Sequence, residues 1–250
     1  MMNISELLLT IVLLLPGVLM MAINEKKLYC DLIPDIETPS FGLRLLNHII
    51  LAFPFALIGL FFYKKVGFQV FSFEGVSVLS LILSLLCAFL HVVVYYFYFK
   101  KNVARETYKQ VEKSRRQLGI WTRTFYGGIV EEMIFRFGLM TFIVWICNLF
   151  ISNSVVSIWI GNIVASIAFA LAHLPAVYQM KVRVTRPMLI YSTSMNLLVG
   201  LLCGWLYWKE GLAAAILCHM LFHLVWYVFE KFDKNAQTQI GRNGGTTRPI

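Results

Sequence analysis

Val76–Phe99 reads VSVLSLILSLLCAFLHVVVYYFYF, without one Asp, Glu, Lys or Arg. An α-helix crosses a hydrocarbon core of about 30 Å with roughly 20 apolar residues, so this run is long enough to span a membrane. The pattern recurs on both sides of it, at Leu7–Ile23, Leu45–Tyr63, Thr124–Phe150, Val155–Ala176, Leu189–Tyr207 and Leu212–Phe229. The sequence therefore predicts an all-α, polytopic membrane helix bundle of seven to eight transmembrane helices. Composition agrees: of 250 residues 59% are hydrophobic and only 14% charged, against about 25% charged in soluble domains. That excludes a disordered chain, a disulfide scaffold and an ordinary cytosolic enzyme. The five cysteines show no CxxC spacing, so neither a disulfide framework nor a cysteine zinc site is expected.

The net charge of +9 does not imply nucleic acid, because the basic residues lie in short loops between apolar runs. With the N-terminus outside, one set of loops holds Lys26, Lys27, Arg44, Lys181, Arg183, Arg186, the basic residues of Lys100–Arg123 and those of the tail. The opposite set holds Lys64, Lys65 and Lys209 alone. The positive-inside rule then predicts N-out, C-in in a multi-pass protein, expected in the plasma membrane. No Lys or Arg precedes the first span, which reads as a retained helix rather than a signal peptide. Three regions follow: 1–123, N-terminal transmembrane helices and a basic cytoplasmic surface helix; 124–230, a helical core; 231–250, a flexible tail. The insert Lys100–Arg123 reads as an amphipathic surface helix at the inner leaflet. Trp121, Trp205, Trp208, Trp226 and Tyr227 read as interfacial anchors.

Glu131, Glu132 and Arg136 lie well inside the fourth span, where each charge costs roughly 2.5–3.5 kcal/mol at mid-membrane. Glu132 precedes Arg136 by four residues, the spacing of a helical ion pair. Glu131 is left without a partner on its own helix, and an unpaired intramembrane carboxylate is a functional candidate. Counting helical rise from the predicted span ends places Glu131, His173, His219 and His223 in the same half of the bilayer. His219 and His223 share one helix face. His48 and His91 lack acidic partners at depth and read as interfacial or packed residues.

Glu131-Glu132-Met-Ile-Phe-Arg136 is an EExxxR motif, Phe169 to His173 is FxxxH, and His219 to His223 stands where a family pattern has HxxxN. In this order the three resemble the CAAX-protease and bacteriocin-processing (Abi) family of intramembrane endopeptidases, over about Phe125 to Glu230. One position departs from it: His223 occupies the usual Asn. The resemblance implies a cleft-like active site open to the cytoplasmic side and hydrolysis of peptides or lipid-anchored proteins. It also implies a metal-independent reaction without a cofactor. Glu131 and His173 would activate water, and His219 and His223 would hydrogen-bond the oxyanion. Glu132, Arg136 and Phe169 would support them, and Gly127 and Gly128 would let another helix approach closely. The same Glu131, His173, His219 and His223 are also a possible zinc ligand set, which keeps a zinc protease open. Further alternatives are a non-catalytic immunity or binding protein and a small transporter. The expected partners are membrane lipids and a peptide or lipid-anchored substrate.

Overall fold

The computed structural model describes residues 3–32, 37–71 and 76–243. Helices account for the secondary structure of the described residues, with no strand among them. The chain runs through α1 (Ile4–Leu32), α2 (Phe41–Phe62), α3 (Val78–Val94), α4 (Arg105–Thr122), two π-helical stretches (Arg123–Glu131 and Met133–Met140), α5 (Thr141–Asn148), α6 (Ser154–Ala172), the short α7 (Leu174–Gln179), α8 (Arg186–Glu210) and α9 (Leu212–Asn243).

Local chemistry sets several boundaries. Ser40 and Ser77 cap α2 and α3 by accepting from Leu43 N at 3.3 Å and Ser80 N at 3.1 Å. Asn153 caps α6 through Val155 N and Val156 N. Gly211, at φ +88°, turns the chain between α8 and α9, and a Cβ there would collide with the carbonyl of Gln69. The Ser77 hydroxyl also donates to Glu210 Oε1 at 2.5 Å, tying the start of α3 to the end of α8.

Among the described residues, six helices are long and apolar enough to cross a membrane: Ile4–Cys30, Phe41–Val66, Val78–Asn102, Ser154–Gln179, Arg186–Glu210 and Leu212–Phe232. The fourth expected span, Thr124–Phe150, does not qualify as an apolar span. It is helical nearly throughout, yet it carries Glu131, Glu132 and Arg136 and changes from π to α winding. Its position explains this. Val130, Met133, Phe137 and Met140 have no solvent exposure, and the segment packs against α1, α2, α6 and α9. Protein rather than lipid surrounds it, so its charges are matched by neighbouring side chains. Lipid-facing character lies elsewhere, in exposed Leu8, Val12, Ile50, Phe61, Leu79 and Leu86 on α1–α3.

Three expectations change. The helix over the basic insert begins at Arg105, is broken at Gly119 (φ +74°), and buries Glu112 and Arg115 on its protein-facing side. Trp226 is buried beneath the Arg115 guanidinium, 3.0 Å from its ring centre, so it is not an interfacial anchor. α9 continues to Asn243, into the segment expected as a tail, while 244–250 lie outside the described residues.

Candidate active site

π-Helical winding occurs at the aromatic stretch Tyr95–Phe99 and again over the residues that carry the charge. A π-helix hydrogen-bonds i to i+5, and such turns are frequent at functional sites. Five-residue spacing brings Tyr126 and Glu131 near one line, and both border the same cavity. Gly127 and Gly128 sit one turn earlier. A Cβ on Gly127 would stand 2.5 Å from His223 Nε2, and one on Gly128 would overlap Met220. The glycine pair is what allows α9 to approach, as its position in the sequence suggested.

Four helical segments then supply one cluster. His219 Nδ1 is 2.7 Å from Glu132 Oε1, and Arg136 Nε lies 3.2 Å from Glu132 Oε2. The Glu132–Arg136 ion pair expected from the i,i+4 spacing is present and almost wholly buried. It is a charge pair without a well-aligned hydrogen bond, and the guanidinium lies over the Phe169 ring at 4.7 Å. Phe169 also packs edge-on against His173 and His219. That motif position therefore has a physical role, fixing two imidazoles and one guanidinium.

Glu131 points elsewhere. Its Oε2 is 3.8 Å from His173 Nε2 and 3.9 Å from His219 Nε2, too far for direct hydrogen bonds. The far side of each ring is already engaged. His173 Nδ1 bonds the Phe169 carbonyl at 2.8 Å, and a carbonyl only accepts, so Nδ1 carries the proton and Nε2 presents a lone pair. Glu132, ionised beside Arg136, accepts from His219 Nδ1 in the same way. Neutral His219 therefore also turns an Nε2 lone pair towards Glu131, and its Nε2 becomes a donor only as an imidazolium.

His223 stacks on His219 with ring centres 5.0 Å apart. Its Nδ1 is buried without a hydrogen-bond partner. These groups border a cavity of about 490 Å³ whose walls are otherwise mostly apolar, including Met21, Leu51, Val177 and Met180. The Glu131 side chain keeps 19% of its surface exposed and His173 32%, while His219 keeps 3%. The carboxylate and one imidazole are thus open to the cavity, and the second imidazole is held within the bundle.

The donor types would suit zinc, since histidines whose Nδ1 is fixed by an acceptor are typical ligands. Among the described residues, however, no three His, Cys, Asp or Glu are grouped closely enough to hold a metal ion.

Two polar groups escape a reading of the sequence. His48 has an acidic partner after all: its Nε2 bonds Glu25 and its Nδ1 lies 3.0 Å from the Tyr126 hydroxyl, beside the cavity. α1 extends past its apolar stretch, and this carries Glu25 to the neighbouring helix, whereas the apolar span ends at Ile23. The second is a buried cluster of Glu112, Arg115, Arg123 and Glu230, drawn from residues that read as loop and surface. His91 is packed as expected, bonding Tyr191 at 2.8 Å.

No curated protein and no solved structure matches the chain. Residues 116–225 match the family model described as type II CAAX prenyl endopeptidase Rce1-like. That segment contains Glu131, Glu132, Arg136, Phe169, His173, His219 and His223, and it is the part of the chain that is similar to the Rce1-like CAAX prenyl endopeptidases.

Proposed function

We propose that this protein is an intramembrane endopeptidase that cleaves membrane-associated or lipid-anchored peptides with a water activated by Glu131 and His173. The observation carrying this reading is the spacing of Glu131 Oε2 from two imidazole Nε2 atoms, those of His173 and His219, 3.8 and 3.9 Å, at the edge of the cavity. Both separations are longer than a hydrogen bond and short enough for one water to bridge. Such a water gives its proton to the Glu131–His173 pair as its oxygen adds to the scissile carbonyl carbon. The oxyanion forms on the His219 side. For this, His219 enters the reaction already protonated at both ring nitrogens and stabilised by Glu132, so that its Nε2–H donates to that oxygen, and His223 supplies a second donor. Collapse of the intermediate breaks the C–N bond, and the proton held by the Glu131–His173 pair passes to the departing amine.

The division at 123/124 fits this reading, with the later region carrying the chemistry and the earlier one forming a wall of the cavity. The basic-loop asymmetry supports N-out, C-in placement with the cleft facing the cytoplasm of a plasma membrane.

One observation favours a second reading. His173 and His219 each present an Nε2 lone pair with Nδ1 fixed, the preparation seen in zinc-binding histidines. Glu131, His173 and His219, with His223 as a further candidate, would have to draw closer together than they stand here to hold the ion, which would then acidify a bound water.

The test is turnover of a fluorogenic lipidated peptide by purified protein in detergent, with metal content measured on the same samples. Cleavage by metal-free wild type, abolished in folded Glu131→Gln, supports the metal-independent reading. Activity that rises and falls with stoichiometric zinc selects the second. A folded wild type that cleaves no lipidated peptide leaves a binding or immunity protein.

A further inference from the structure

Behind one wall of the cavity lies a polar chain that the water-activating groups do not include, Glu25–His48–Tyr126. Three elements contribute to it: Glu25 from α1, His48 from α2 and Tyr126 from the first of the two charged π-helical stretches. His48 Nε2 bonds Glu25 Oε2, and His48 Nδ1 lies 3.0 Å from the Tyr126 hydroxyl. The Tyr126 ring stands edge-on to the imidazole, with ring centres 5.2 Å apart. Met21 and Leu51, each one helical turn from this pair on α1 and α2, line the cavity together with Tyr126 itself.

The direction of each bond follows from what each group can do. A carboxylate only accepts, so His48 Nε2 carries a proton, and in the neutral ring Nδ1 is a lone pair. The Tyr126 hydroxyl then donates to Nδ1, and its only proton is engaged there. What its oxygen still offers is a lone pair. A clasp between helices would serve with either bond direction; the carboxylate at the far end fixes one.

Tyr126 also stands one π-turn before Glu131 on the same helix, and both border the cavity. An extended peptide reaching Glu131 brings backbone N–H groups between walls that are mostly apolar, where an unpaired donor is costly. Arg115 and Arg123, elsewhere on the cavity wall, are donors only and cannot receive one. We infer that the Tyr126 hydroxyl oxygen accepts one backbone N–H of the peptide substrate, and that Glu25 and His48 are positioning residues that hold Tyr126 in this accepting state. This rests on the peptidase reading and adds to it a contact that aligns the peptide backbone with the attacking water.

The experiment measures binding of a fluorescent lipidated peptide, and of versions N-methylated at one backbone nitrogen each, on Glu131→Gln, which separates recognition from turnover. At one position methylation is expected to weaken binding about tenfold, the loss of one hydrogen bond in a site shielded from water. Adding Tyr126→Phe, which keeps the ring and removes the oxygen, should bring the effect at that position below about threefold and leave the other positions unchanged. Glu25→Gln can donate as well as accept, so it no longer dictates which His48 nitrogen carries the proton. The effect at that position should then become intermediate, a result that loss of structure would not produce, and this variant decides the matter should Tyr126→Phe fail to fold. A methylation profile that is the same with and without the Tyr126 hydroxyl overturns the acceptor, even where wild type cleaves the parent peptide and the peptidase reading stands. An unchanged profile in Glu25→Gln overturns the part given to Glu25 and His48. A Tyr126-dependent position in a protein whose wild type cleaves no lipidated peptide keeps the acceptor and sinks the peptidase reading.

Discussion

Two buried charge clusters border one cavity, and they are built on opposite plans. Around Glu131, the acceptors face inward: a carboxylate and two imidazole Nε2 atoms stand 3.8–3.9 Å apart, with both Nδ1 atoms already engaged. Around Arg123, the donors are left over: each glutamate is used by arginine, and three guanidinium nitrogens have no partner. The first arrangement suits polarising a water, the second suits holding an anion. Burial of charge is therefore not one phenomenon: both clusters leave guanidinium nitrogens unpaired, on Arg136 as on Arg115 and Arg123, and they differ in which groups border the cavity, Glu131 and His173 at one end and Arg115 and Arg123 at the other. Glu132 and Arg136 sit in the first cluster as a supporting pair, which is why a motif of two adjacent glutamates divides into two roles.

The contrast is tested most severely at Glu131. Glu131→Gln keeps the shape of the side chain and removes the carboxylate that takes up the proton, so turnover should fall by about 10²–10⁴ while thermal unfolding stays near wild type. A fully active Glu131→Gln would end the assignment of this end as the catalytic one. Glu132→Gln should act in the opposite sense, on stability first. It leaves Arg136 buried without a counter-charge, a change that costs about 3–5 kcal/mol, and it loosens the hold on His219. Denaturation in detergent should show the loss, and a stability equal to wild type would refute the supporting role.

Gly127→Ala tests the approach of the helix that carries two of the histidines. The added methyl meets His223 Nε2 at 2.5 Å, so overpacking should cost about 1–3 kcal/mol and shift the His223 ring. An unchanged melting temperature would mean that the ring turns aside freely. The smallest effect is expected at His223, where the chain departs from the usual Asn. His223→Asn keeps a donor of similar reach, so activity should drop no more than about tenfold, against about 10²–10³ for a donor lost outright. A collapse of activity together with loss of bound zinc would move His223 among metal ligands.

The membrane fold is legible in the residues alone, because runs of apolar residues of span length can be stable only in hydrocarbon or in a core. So are the charges that demand explanation, since Glu131, Glu132 and Arg136 stand out against an apolar helix, and the Glu132–Arg136 pair follows from helical spacing alone. How these groups divide is settled by packing between helices. The Glu132–His219 bond and the Glu131 contacts join residues on different helices, and no periodicity encodes which of two adjacent carboxylates a distant imidazole will reach. The π winding over Arg123–Met140 is a property of the backbone within its surroundings, written in no residue preference. The arginine cluster stays hidden for a related reason. Arg115, Arg123 and Glu112 look like surface charges in a basic loop, and Glu230 like the exposed end of the helical core, until α9 packs beside α4 and removes them from water. Spacing along one helix is local and therefore readable; the meeting of charges from separate helices is fixed by packing, which a single sequence does not display.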